Sequence, residues 1–268
     1  MKILVVGNVF KDVYLNIDER SEKFETDAGG TKWLNLGFNA SEHRFFRRVS
    51  SFGGAVISLE VLGNMGFEAE ISGSGIKFED DGINAHGNSV ADIYRYILVS
   101  DEQLAYFTPS FEHKTNFIAP KEPVDYIFID RSSNLVNYQA ILDYLEAFPE
   151  TKLAIHVHND IHSGAEEKLI SRADLVFSEQ MIEDLPERKL VFISDKKITY
   201  AGMTEKINIP RTDMMTHLSA YSILAATILG GILNGNSVKK SLRLAKVNVE
   251  NSSLDATLSL SMMEELAA

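Results

Sequence analysis

Short apolar runs that alternate with helix-compatible segments constrain the fold of this chain more than any other feature. Runs of this kind predict strands at residues 2–9, 68–75, 125–130, 152–158, 173–178 and 189–194. The intervals predict helices at residues 55–66, 88–96, 137–147, 166–171, 179–185, 217–233 and 237–249, and after about residue 255. Because strands that alternate with helices form parallel sheets with helices on both faces, the sequence predicts an α/β fold.

Two segments interrupt this alternation with β-rich sequence. Residues 14–49 contain pieces such as WLNLGF and HRFFRRV, separated by glycine- and serine-containing turns. Residues 94–109 read as strand, turn and strand. Both patterns are typical of antiparallel strands, so we expect two insertions that form a small β lid. The chain has no internal repeat or interdomain linker, and residues 1–268 are therefore predicted to form one domain.

Composition excludes several classes of protein. The chain of 268 residues carries a net charge of −12, which disfavours nucleic-acid binding because such binding needs lysine and arginine. It contains no cysteine, which excludes disulfides and zinc–thiolate sites and fits a reducing cytoplasm. The opening MKILVVGNVF reads as a strand rather than a secretory signal, and the longest apolar run is too short and too polar to cross a membrane. We expect a cytoplasmic protein without a membrane partner.

Polar and glycine residues follow several of the predicted strands. Gly7 lies near the end of the first predicted strand, and Asp12 comes five residues later. Gly53-Gly54 lead into a helix, and Asp130-Arg131 follow the apolar DYIFI run. Ligands of open α/β sheets bind beyond the carboxyl ends of the strands, where a carboxylate can accept hydrogen bonds from hydroxyl groups. The alternatives are a capped turn at Asp12, an ordinary strand-turn-helix junction at the glycines and a loop ion pair at Asp130-Arg131.

The histidine-rich segment IHVHNDIHSG permits two interpretations. His156 and His158 lie on one face of a predicted strand, and with His162 they could bind a metal ion. The alternative is that the three histidines are structural.

Five segments resemble the ribokinase-like (PfkB-type) carbohydrate kinase family, and together they span nearly the whole chain. They are the segments around Gly7 and Asp12 and around Gly53-Gly54, with ADLVFSEQMIEDL, KLVFISDKK and INIPRTDMMTH. The resemblance implies a three-layer α/β/α sandwich with a mostly parallel central sheet and a small antiparallel β lid. It also implies a sugar or nucleoside substrate, with ATP and Mg²⁺ as cofactors. The residues expected around the substrate are Asp12, Gly53 and Gly54, which the resemblance places there, and Asp130 and Arg131, which follow a predicted strand.

The sequence departs from the family pattern on the nucleotide side. Met214-Met215-Thr216 stand where the family has Gly-Ala-Gly, and His217 stands at the catalytic Asp. Ser178 and Met181 replace the Asn-x-x-Glu pair, and residues 194–197 lack the glycines of a phosphate-binding turn and predict a plain hairpin. The roles that the resemblance still implies are catalysis by His217 or Asp213, nucleotide binding by Thr216, Met215, Ser194 and Asn248, and metal binding by Glu179 and Glu183.

Two functional hypotheses follow. The chain is an ATP-dependent sugar or nucleoside kinase with an impaired phosphoryl-transfer site, or it is a pseudokinase that binds a small molecule or assembles without catalysis. Apolar residues in the first insertion also suggest a homodimer formed through the lid; they are Trp33, Leu34, Leu36, Phe38, Phe45 and Phe46.

Overall fold

The computed structural model describes residues 1–7, 9–16, 24–26, 32–34, 48–73, 85–86, 94–99, 104–107, 116–130, 137–157, 164–182, 184–209, 214–252 and 257–267. Within these ranges, residues 9–54, 85–107 and 214–219 are described by their backbone alone. The strands are β1 (Lys2–Val6), β2 (Val9–Asn16), β3 (Phe24–Thr26), β4 (Lys32–Leu34), β5 (Arg48–Gly54), β6 (Glu68–Ser72), β7 (Ala85–His86), β8 (Tyr94–Val99), β9 (Leu104–Phe107), β10 (Tyr126–Ile129), β11 (Lys152–Val157), β12 (Leu175–Ser178), β13 (Leu190–Ser194), β14 (Lys197–Tyr200) and β15 (Met203–Lys206). The helices are α1 (Ala55–Asn64), α2 (Tyr138–Ala147), α3 (Gly164–Arg172), α4 (Met214–Leu233), α5 (Val238–Asn251) and α6 (Leu260–Ala267).

The main sheet confirms the predicted α/β architecture. In the described part of the chain it has nine strands, in the order β15-β14-β13-β12-β11-β10-β1-β6-β7. The pairs from β13 to β7 are parallel, and β14 and β15 add an antiparallel edge. All six strands predicted from apolar runs are present, because a strand buried on both faces must be apolar almost throughout.

Two hydrophobic cores cover opposite faces of this sheet. Ile3 and Val5 of β1 face a core built with α1, α4, α5 and α6, whereas Leu4 and Val6 face a core built with α2 and α3. Successive side chains of a strand point to opposite faces, so a single strand contributes to both cores. The result is the three-layer α/β/α sandwich that the resemblance implied.

The helix ends follow local sequence rules. Gly66 adopts a positive φ of 90° directly after α1, where an L side chain would be strained, and the amide of Phe67 donates to the carbonyl of Leu62. Ser237 caps α5, with its hydroxyl accepting a hydrogen bond of 3.2 Å from the amide of Lys240. Among the helices that the structure describes, none has the length and apolar character needed to cross a bilayer.

The two predicted insertions meet in one small sheet of order β5-β2-β8-β9. β2 pairs with β5 antiparallel and with β8 parallel, and β8 and β9 form the predicted hairpin. We refer to this sheet as the lid. It begins at Val9, earlier than predicted, and β5 continues directly into α1.

Two helix predictions are wrong. The helix expected at residues 88–96 is contradicted at 94–96, which belong to β8, where tyrosine and β-branched residues favour a strand. Residues 179–182 and 184–185 are not helical either. The hydroxyl of Ser178 accepts a hydrogen bond of 3.1 Å from the amide of Gln180, which satisfies the backbone in a turn, and Met181 is exposed instead of supplying an apolar helix face.

Candidate functional site

The candidate site lies at the carboxyl ends of the central strands, where the lid and the first turn of α4 also begin. Gly7 follows β1, Asp130 follows β10, His156 is the penultimate residue of β11 and Glu179 follows β12. Because these strands are parallel neighbours, their carboxyl ends lie at one edge of the sheet. This edge is where ligands bind in open α/β sheets.

The carboxylate of Asp130 is the centre of the described part of the site. Ser58 of α1 donates its hydroxyl to Oδ2 at 3.0 Å, and Ser222 of α4 donates to the same carboxylate, 3.1 Å from each oxygen. Asp130 is buried, and so are both serines. The carboxylate of Asp130 thus accepts hydrogen bonds from two helices, and its predicted contact with a substrate stays a prediction. A buried carboxylate needs such donors, since its desolvation is otherwise very costly.

His156 lies beside this carboxylate and is fully buried. Its Nδ1 is 3.6 Å from Oδ1 of Asp130, and its Nε2 is 3.8 Å from Oε1 of Glu179. Within the described residues neither nitrogen has a hydrogen-bond partner. The ring of Tyr221 lies 6.4 Å away, measured between ring centroids.

These contacts bear on the predicted metal sites. Described residues contain no group of three His, Cys, Asp or Glu side chains that could hold a metal ion. The two carboxylates beside His156 face different nitrogens of its ring, so they do not converge on one point. This arrangement favours the structural interpretation of His156, whereas His158, His162 and Glu183 lie outside the described residues. The predicted metal-binding roles of Glu179 and Glu183 stay predictions.

Two glycines allow the strand ends to approach closely. A Cβ added to Gly7 would lie 2.8 Å from Cβ of Ala55 and 3.0 Å from the carbonyl oxygen of Asp130. A Cβ added to Gly73 would lie 1.9 Å from the carbonyl oxygen of Gly7. Both positions therefore exclude any side chain, and the start of α1 packs directly against the ends of β1 and β10.

The lid residues that were predicted to contact a substrate are brought together by strand pairing. Gly53 pairs with Phe10, and Asp12 pairs with Ser51. Asp12 and Gly53-Gly54 therefore lie on adjacent strands, with Gly54 directly before α1. Arg131, the remaining residue predicted on this side, lies outside the described residues.

On the nucleotide side, residues 194–197 form the predicted hairpin between β13 and β14. Ser194 pairs with Lys197 and donates its hydroxyl to the carbonyl of Lys197 at 3.1 Å. The phenol of Tyr221 donates to Asp195 at 2.7 Å, which ties the turn to α4. Phosphate-binding turns present a concave row of backbone amides, and this two-residue hairpin turn does not fit that description.

Asn248 lies inside the protein rather than at the sheet edge. Its Nδ2 donates to Thr227 at 2.9 Å, and its Oδ1 accepts from the hydroxyl of Ser252 at 3.0 Å and from the amide of Leu258 at 3.1 Å. The structure therefore gives this side chain a packing role that connects α4, α5 and the segment before α6. The predicted contact of Asn248 with a nucleotide stays a prediction.

The segment predicted to hold the catalytic residues is described only in part. Met215, Thr216 and His217 belong to the first turn of α4, of which the backbone alone is described. Asp213 lies outside the described residues. The proximity of Asp130 and His156 was not predicted from the sequence. Both are polar residues at the ends of apolar strands, and this shared position was a signal that could have predicted the contact.

Solved structures with a similar fold include kinases of the ribokinase family. The nucleoside kinase of Methanocaldococcus jannaschii matches with a TM-score of 0.67 and 14% identity, over 99% of this chain and 97% of its own. Ribokinase of Arabidopsis thaliana, solved with ribose and ATP, matches with a TM-score of 0.63 and 13% identity, over 99% and 98%. The nucleoside kinase of Burkholderia thailandensis, solved with inosine, matches with a TM-score of 0.64 and 11% identity, over 100% and 96%.

These matches establish a ribokinase-like fold over nearly the whole chain. Sequence comparison adds nothing to them, since no protein-family model and no curated protein matches the chain.

Proposed function

We propose that this protein binds a sugar or nucleoside between the lid and the carboxyl ends of the central strands, and that its phosphoryl transfer from ATP is greatly weakened or lost. The fold supports the ligand class, because similar structures were solved with ribose and with inosine. Asp12 and Gly53-Gly54 support the place of binding, since strand pairing puts them on adjacent lid strands that lead into α1.

The β13–β14 hairpin is the main support for weakened phosphoryl transfer. Its turn is closed by the Ser194–Lys197 bond and joined to α4 by the Tyr221–Asp195 bond. Opening a phosphate-binding surface there would break both contacts. The first turn of α4 adds Met214 and Thr216 in place of glycines, and His217 in place of a carboxylate base. Loss of one oxyanion-type donor alone lowers a rate by roughly 10²–10³.

A working ATP-dependent kinase is the second candidate. The fold favours it, because Arabidopsis ribokinase binds ribose and ATP on the same scaffold. In this case His217 or Asp213 would act as the base, Thr216 and Met215 would offer backbone amides to the phosphates, and the protein would use ATP with Mg²⁺.

We also propose that the protein is cytoplasmic and dimerises through the lid. A purely monomeric sedimentation profile at micromolar concentration would contradict the dimer.

Calorimetric titration with D-ribose and with inosine, each with and without Mg-ATP, tests the proposal. We expect binding of one of the two without ATP, and loss of that binding in Asp12→Ala. The matched control is Asp143→Ala, which removes an exposed carboxylate bonded only to Gln139 in the described contacts of α2. Turnover in a coupled ADP-release assay at about 1 s⁻¹ or faster, the lower range for kinases, would instead establish the second candidate.

A further inference from the structure

Asp130 connects two helices that carry different parts of the proposed site. α1 begins directly after the lid strand β5 and reaches Asp130 through Ser58. α4 begins with the turn that contains His217 and reaches the same carboxylate through Ser222. The backbone packs tightly at this junction, because a Cβ added to Gly7 would lie too close to both Ala55 of α1 and the carbonyl oxygen of Asp130.

The two serines are placed for this connection and for nothing else among the described contacts. Ser58 and Ser222 are buried within apolar helix faces, and each sends its hydroxyl across to another element. A buried helical serine usually bonds to the carbonyl four residues before it, as Ser241 of α5 does with Ser237. Ser58 and Ser222 depart from this pattern because a shared carboxylate is the stronger acceptor.

We propose that Asp130 is a positioning residue that fixes α1, which directly follows the lid strand β5, to the N-terminal half of α4. Because both hydroxyls share one buried acceptor, the loss of either serine leaves that acceptor with fewer donors and loosens both helices rather than one. A ligand held between the lid and α4 then depends on a residue that does not touch it. This last consequence rests on the proposed function, whereas the mechanical connection does not.

Hydrogen exchange in three variants tests the connection without any ligand. Ser222→Ala is expected to raise amide exchange about tenfold in residues 55–62 of α1 as well as in α4, and Ser58→Ala to raise it in α4 as well as in α1. Ser241→Ala is the matched control, since its buried hydroxyl bonds within its own helix, and it should affect α5 alone. Exchange in α2 should stay unchanged in all three, which separates local loosening from global destabilisation.

Faster exchange confined to the helix that carries each substitution would overturn the proposal. If Ser222→Ala does not fold, Ser58→Ala gives the same test from the other helix, and Ser222→Thr, which keeps a hydroxyl, should restore slow exchange in α1. Titration with D-ribose and inosine then extends the test, with a several-fold weaker affinity expected in Ser222→Ala and none lost in Ser241→Ala. If neither compound binds the unsubstituted protein, the proposed function fails, but the exchange result still decides the role of Asp130.

Discussion

Replacement of Gly73 by alanine should destabilise the protein more than almost any other single methyl group. The added Cβ would lie 1.9 Å from the carbonyl oxygen of Gly7 and 3.0 Å from its carbonyl carbon. Both obstacles are backbone, so no rotamer change relieves them. The ends of β1 and β6 would have to separate, although the amide of Gly7 donates to the carbonyl of Ser72 at 3.1 Å. We expect a cost of about 3 kcal/mol, the upper part of the range for overpacking.

Urea unfolding followed by far-UV circular dichroism measures this cost. With a slope of about 3 kcal/mol per M, reasonable for a chain of this size, the midpoint should fall by about 1 M. Gly63→Ala is the matched control, because Gly63 lies inside α1 and an added Cβ there meets nothing within 4 Å. That variant should gain roughly 0.5–1 kcal/mol, since alanine favours helix more than glycine does. A Gly73→Ala midpoint equal to that of the unsubstituted protein would refute the packing argument.

Two further predictions concern buried polar groups. Asn248→Ala should lower the free energy of unfolding by about 2–3 kcal/mol, because Thr227 and Ser252 lose a buried partner. The control is Asn251→Ala, at an exposed position, which should change this free energy by less than about 0.5 kcal/mol. Equal urea midpoints for the two variants would contradict the prediction. Burial raises the pKa of the Tyr126 phenol, and Asp174 raises it further. The unfolded chain therefore loses this proton first, and stability should fall as the pH rises above about 10, the unfolded value. Tyr126→Phe should flatten that fall in melts at pH 9 and 11, and parallel pH profiles would count against it.

The sheet was predictable because its strands are apolar on both faces. β10 and β12 consist entirely of buried residues, and such runs keep their signal whatever surrounds them. The error at residues 179–185 has a different cause, because the hydroxyl of Ser178 bonds to the amide of Gln180 in a turn, a contact that apolar periodicity does not register.

The candidate site was less predictable than the fold. A strand-end carboxylate such as Asp130 has the same sequence signature whether it binds a ligand or fixes two helices. The difference lies in Ser58 and Ser222, which are far from Asp130 in sequence and come within hydrogen-bond distance only after the sheet and both helices are assembled. The hairpin at residues 194–197 was predictable because its turn residues are contiguous.

The position of β1 between β6 and β10 has a consequence for synthesis of the chain on the ribosome. Ile3 of β1 pairs with Tyr126 of β10. All residues between these two strands, the lid included, must therefore be translated before β10 can pair with β1. At ordinary elongation rates this interval lasts roughly 6–25 s. Throughout it, one edge of the apolar KILVV strand remains unpaired on the nascent chain. The same central placement that buries β1 in the finished sheet therefore leaves it with an unpaired edge, open to aggregation and to chaperones, during translation.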